Sequence, residues 1–125
     1  MEKVNIWDIE GTEFLAGRRT RVILGQNGAM EGSKFCQGYV VVYKGGGIPE
    51  HDHETVESYT IIKGHGEMEV DGEKQPVKEG DCIFIPGNLK HALYNTGEEE
   101  LHMMFVYAPS IIVDHWAKEQ SGEIK

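Results

Sequence analysis

Glycine spacing constrains this chain more than any other feature. Sixteen glycines fall in 125 residues, most of them at 25–28, 45–47, 64–66, 72, 80, 87 and 97. Between them lie short β-branched or aromatic runs: Val22-Ile23-Leu24, Tyr39-Val40-Val41-Val42-Tyr43, Cys82-Ile83-Phe84-Ile85 and residues 101–107. Glycine weakens helices and supplies the positive backbone angles of tight turns. Short strands at regular intervals with Gly and Pro between them predict an all-β barrel or sandwich.

The runs differ in what they bury. The unbroken 39–43 run predicts a strand covered on both faces. Residues 64–70 alternate, with Gly66, Met68 and Val70 on one face and His65, Glu67 and Glu69 on the other, so His65 reads as exposed. Asp71-Gly72 is a preferred hairpin turn. Residues 82–85 read as a short buried strand ending at Pro86. Residues 1–16 suggest an edge strand with a turn at Gly11, and residues 110–125 a short terminal helix or tail. The length suits one domain, residues 1–125, with a single core.

One stretch carries chemistry. Residues 45–64 read GGGIPEHDHETVESYTIIKG, placing His51, His53 and Glu57 as H-x-H-x-x-x-E. Side chains two apart on a strand share a face, so both imidazoles can aim at one point, and Glu57 keeps the same parity. Two neutral imidazoles and a carboxylate suit a divalent transition metal. Residues 80–95, GDCIFIPGNLKHALYN, add His91 as a fourth candidate ligand. Donors of this borderline softness admit Mn, Fe, Co, Ni, Cu or Zn.

The two stretches together resemble the cupin superfamily of small β-barrels. Its first motif, G-x5-H-x-H-x(3,4)-E-x6-G, is matched by Gly45, His51, His53, Glu57 and Gly64. Its second, G-x5-P-x-G-x2-H-x3-N, is matched by Gly80, Pro86, His91 and Asn95, with Asn88 in place of the inner glycine. Asn tolerates the left-handed conformation better than most residues. The resemblance implies a double-stranded β-helix, or jelly-roll, barrel with one metal on His51, His53, Glu57 and His91. It also implies activities ranging from sugar-acid isomerases to oxalate-type decarboxylases and dioxygenases. In such proteins a segment like 1–16 often lies against a second subunit.

Other residues are candidates for the pocket. Tyr59 shares the parity of Glu57 and is an acid–base candidate beside a core-packing reading. His102 is a second, if the face it shares with Met104 and Val106 turns inward, beside the reading of a satisfied or exposed histidine. Gln37, Tyr39 and Tyr43 would line the interior or pack in the core. Arg18, Arg19 and Arg21, the only arginines, either cover a solvated strand face or send one guanidinium to a carboxylate.

Bulk properties narrow the partners. A net charge of −9 opposes binding to nucleic-acid backbones. No apolar run reaches the ~20 residues of a membrane span. Cys36 and Cys82 fit no zinc or redox spacing and read as reduced, buried thiols in a cytoplasmic protein. The apolar segments 1–16 and 111–116 suggest a homodimer. Two functions follow: a metal-dependent enzyme acting on a small, oxygen-rich anion by isomerisation, elimination, decarboxylation or dioxygenation, and a non-catalytic sensor or carrier barrel.

Overall fold

The computed structural model describes residues 1–110 and 115–121. After a 3-10 turn at Ile6–Asp8 come β1 (Thr12–Phe14), β2 (Arg18–Leu24), β3 (Cys36–Val42), β4 (Gly47–His51) and β5 (Val56–Lys63). Then follow β6 (His65–Val70), β7 (Glu73–Lys78), β8 (Cys82–Ile85), β9 (His91–Asn95), β10 (Leu101–Ala108) and the helix α1 (His115–Ser121). The strands form two antiparallel sheets, β1-β2-β3-β10-β5-β8 and β4-β9-β6-β7. This is the all-β jelly-roll barrel with a short terminal helix that the glycine pattern and the motifs suggest. Ile111, Ile112 and Val113, part of the apolar tail, lie outside the described residues.

Strand alternation builds the interior. Val40, Val42, Ile48, Tyr59, Ile61, Met68, Leu93, Leu101, Met103 and Phe105 meet in one buried cluster between the sheets. Burying a side chain of this size stabilises the fold by about 1.5–3 kcal/mol. The 39–43 run is indeed covered on both faces. Its alternate residues Tyr39 and Val41 form a second cluster with Ile23, outside the barrel, against which Val4, Ile6 and Ile9 pack. The N-terminal segment thus covers its own chain's sheet. Trp7 stands edge-on to Tyr39 at 5.5 Å, a packing role.

Turn chemistry holds the register. Asp71 and Gly72 have φ of 49° and 83°, the mirror-image turn that suits a two-residue hairpin. Gly64 has φ 88°, and a Cβ there would stand 2.7 Å from the Glu100 carbonyl oxygen. Asn88 occupies the left-handed region at φ 66°, so it substitutes for the motif glycine as its side chain permits.

Two expectations need correction. Strand β8 is an edge strand of the six-stranded sheet, so Ile85 is buried while Phe84 remains 66% exposed. For the same reason Cys82 is exposed, and only Cys36 is a buried thiol.

Candidate metal centre

Strands β4 and β9 pair antiparallel with His51 opposite His91, which sets two imidazoles side by side. Their ring centres are 4.1 Å apart. After β4 the chain turns through His53 into β5, whose inward residues are Glu57, Tyr59 and Ile61. One donor atom from each of His51, His53, Glu57 and His91 lies within 4.8 Å of the others. Ligands on opposite sides of an ion at ~2.1 Å would be ~4.2 Å apart, so a small contraction closes the ring.

Hydrogen bonds orient each ring. Nδ1–H of His51 donates to the Pro49 carbonyl at 2.8 Å, that of His53 to Thr55 at 3.1 Å, and that of His91 to Leu89 at 2.9 Å. The Thr55 hydroxyl also lies 2.6 Å from His53 Nδ1. A carbonyl or carboxylate can only accept, so Nδ1 carries a proton in each ring; Nε2 of His51 and His91 is left as the lone-pair donor, while Nε2–H of His53 donates to Glu57 Oε1 at 3.1 Å. The loop between Pro86 and His91 is tied to this arrangement, because the Asn88 N–H donates to the His53 carbonyl at 2.7 Å.

The electrostatics call for a cation. Glu57 Oε1 lies 3.1 Å from His53 Nε2 and 3.2 Å from His91 Nε2. With its proton on Nδ1, the His91 Nε2 lone pair faces that carboxylate oxygen, which is unfavourable unless a proton or a metal ion lies between them. His91 Nε2 is buried and has no hydrogen bond, since its approach to Glu57 lacks the geometry for one. Burial pushes the Glu57 carboxyl up, but the hydrogen bond from His53 and the charges of His53 and His91 outweigh it and hold it below the usual carboxylate range. Burial likewise opposes charge on His53, but Glu57 more than offsets this and raises it. Burial and the neighbouring His91 hold His51 down to about 3. The donor set therefore fits a single divalent metal ion in place of protons.

A cavity adjoins this ring, lined by Arg18, Thr20, His51, Glu57, Tyr59 and Trp116 among others. Burial, reinforced by the Glu57 charge, raises Tyr59 well above the usual phenol range, so it keeps its proton.

His102 does not join this group. On β10 the inward residues are Leu101, Met103, Phe105 and Tyr107, so His102 faces the outer cluster. There Nδ1 accepts from the Tyr39 hydroxyl at 2.8 Å and Nε2–H donates to Glu100 at 3.2 Å. Tyr39 and Tyr43 share that outer side, with the Tyr43 hydroxyl donating to Glu13 at 2.9 Å. Gln37 has the same parity as Tyr39 and bonds Met104, so none of the three lines the interior.

Of the arginines, Arg18 alone reaches the cavity, where it is 1% exposed and paired with Glu119 of α1. Arg19 bonds the Glu10 carbonyl and Glu13, and Arg21 bonds the Ile9 carbonyl. Sequence reasoning missed Thr55, Tyr107 and Glu119. Tyr107 stands 6.0 Å from His53, and its inward parity on β10 was the available signal. Glu119 had none, being one acid in a polar tail.

Comparison with known proteins places the chain. The profile of the cupin domain family matches residues 38–107. The chain is 32% identical over 73 residues to polyketide synthase CurC of Streptomyces cyaneus, covering 58% of this chain and 47% of that protein. It is 31% identical over 78 residues to 5-nitrosalicylic acid 1,2-dioxygenase of Bradyrhizobium sp., covering 62% and 37%. The chain thus spans less than half the length of these two relatives. In structure it superposes on KdgF from Halomonas sp. with a TM-score of 0.71 at 17% identity, covering 87% of this chain and 94% of that one.

Proposed function

Because the chain belongs to the cupin family, we propose that residues 1–125 act as one metal-dependent enzyme domain on a small, oxygen-rich anion. One observation carries the reading: three Nδ1-pinned imidazoles and a carboxylate converge beside a cavity, and one of the nitrogens is buried without a hydrogen bond. His51, His53, Glu57 and His91 would hold the ion, one of Mn, Fe, Co, Ni, Cu or Zn. When bound it would supply Lewis acidity, or dioxygen chemistry if it is iron. That relatives include a dioxygenase and a polyketide synthase component supports catalysis, and each of those activities belongs to a longer protein.

The chain's own groups supply the rest. Tyr59 keeps its proton and lines the cavity, which suits it to donate a hydrogen bond or a proton to a substrate oxygen. The apolar wall of Val40, Ile48, Met103 and Phe105 keeps bulk water away and strengthens such polar contacts. His102, already satisfied on both ring nitrogens, would support the sheet. Homodimerisation stays part of the reading, supported by exposed Phe84 on the edge strand, and sedimentation showing a monomer at micromolar concentration removes it.

The test is elemental analysis of protein purified without added metal, followed by assays on small hydroxy and keto acids. Near-stoichiometric iron with substrate-dependent oxygen uptake supports dioxygenation, and Mn, Ni or Zn with turnover supports isomerase or lyase chemistry. Stoichiometric metal without turnover leaves a binding barrel. Absence of metal, even after titration, overturns the reading.

A further inference from the structure

Arg18, in the wall of the cavity beside the ligand ring, already holds a carboxylate. Arg18 on β2 donates Nη1–H to Glu119 Oε2 and Nη2–H to Oε1, both at 2.6 Å. A further Nη1–H bond reaches the Gly47 carbonyl at 3.2 Å, and the guanidinium lies over the Phe14 ring at 4.1 Å. The fork is therefore fixed by the barrel itself, and its free edge receives one planar carboxylate in two-pronged fashion. Glu119 comes from α1, outside the barrel, and Trp116 of the same helix forms part of the cavity wall, edge-on to Phe105 at 6.1 Å.

Two observations argue against a merely structural pair. Desolvation offsets most of the attraction in a buried ion pair, so such a pair is a weak source of stability, whereas a buried guanidinium left without its partner is strongly destabilising. Arg18 must then have a carboxylate partner, but not this one in particular. The cavity beside Arg18 has about 20 Å³ of free space, room for one water molecule. An organic ligand reaching His51 and Glu57 through this cavity must displace part of its wall, and Trp116, on the same helix as Glu119, is the part that comes from outside the barrel.

We infer that Arg18 is a carboxylate-binding residue of the cavity, and that Glu119 is an internal stand-in displaced by the carboxylate of an incoming small organic acid. The exchange keeps one negative group on the guanidinium throughout, so no bare charge is buried. Displacement carries Trp116 away from Phe105 and opens the space beside the ring. The inference rests on the proposed function only in placing the remainder of the acid beside His51 and Glu57.

The test uses metal-free full-length protein carrying Trp7→Phe, which leaves Trp116 as the sole tryptophan. Pyruvate is titrated while its emission is followed, with uncharged pyruvamide as the control. The expected result is a saturable red shift with pyruvate and none with pyruvamide. Glu119→Gln tightens pyruvate binding by about tenfold, because the competing internal carboxylate is gone. Arg18→Met abolishes the response, and the double variant Arg18→Met with Glu119→Leu, which leaves no buried charge unpaired, serves if the single one does not fold.

Equal pyruvate affinity in the parent and Glu119→Gln, no response in either, or a response retained in the double variant overturns the inference. These readouts contain no metal, so they fail or succeed separately from the proposed function. A protein that loads metal but ignores pyruvate loses only the Arg18 assignment, and one that binds pyruvate but takes up no metal loses only the metal chemistry.

Discussion

Two histidine sites in this barrel have similar components and opposite characters. Inside, His51, His53 and His91 surround Glu57, with Tyr59 nearby. Outside, His102 sits between Tyr39 and Glu100, with Trp7 against its ring at 6.2 Å. Each has imidazole, carboxylate and phenol. In the outer site one neutral tautomer satisfies both ring nitrogens, so nothing is left to bind. In the inner site backbone carbonyls take the Nδ1 protons, and Nε2 of His53 and of His91 crowd one carboxylate oxygen. A cation site is thus marked by what the other nitrogen of each ring is doing, more than by the number of histidines.

The largest effect should separate the two sites outright. His91→Ala is expected to reduce bound metal from near one equivalent per chain to near zero, measured by elemental analysis. His102→Ala should leave metal content unchanged. Equal losses in both variants would break the distinction.

Acid should separate them next, in protein stripped with a chelator. His51 is held down to about 3 from 6.5, so below pH 6.5 the unfolded chain takes a proton that the folded site refuses. Stability therefore falls on acidification, by about 2 kcal/mol at pH 5 from this residue. His53 is raised, so its contribution is fully present below 6.5 and lost as pH rises through its folded value, which offsets part of the fall. Glu57 is lowered, so its contribution holds until pH drops through its folded value. His51→Asn should lose about 2 kcal/mol less than the parent between pH 8 and pH 5 in urea melts. An identical loss in both would show that burial at His51 does not govern acid sensitivity.

Much of the inner site was legible because strand parity is rigid. The i, i+2 spacing of His51 and His53 and the parity of Glu57 needed only a pleated chain, and fixed turns at Gly80, Pro86 and Asn88 brought in His91. The outer site was not legible, because parity alone does not say which face is inward. On β10 both faces carry apolar residues, Met104 and Val106 on one and Met103 and Phe105 on the other, so His102 and Tyr39 could have pointed either way. Edge exposure at Cys82 and Phe84 was equally hidden, since strand order is a long-range property. The Arg18–Glu119 pair, 101 residues apart, lies beyond any local pattern.

A smaller change tests the pinning of the rings. Thr55 is 1% exposed and places both a hydroxyl and a carbonyl on His53 Nδ1. Thr55→Val keeps the shape and the carbonyl but removes the hydroxyl. Metal affinity, measured by competition with a chromogenic chelator, should weaken by about tenfold, the low end of effects from residues that orient a ligand. Unchanged affinity would mean that the backbone carbonyls alone orient the imidazoles.

The smallest effect belongs to the outer site. Tyr39→Phe removes the hydroxyl that donates to His102 Nδ1 and leaves the ring that packs on Trp7 and Ile23. His102 is partly open to solvent, so water can replace the lost donor. The expected cost is about 1 kcal/mol in urea unfolding, the net worth of one hydrogen bond, with metal content and affinity unchanged. A loss of metal affinity here would show that the two faces of β10 are coupled, because Met103 and Phe105 on the inner side share the backbone that carries His102 and Met104.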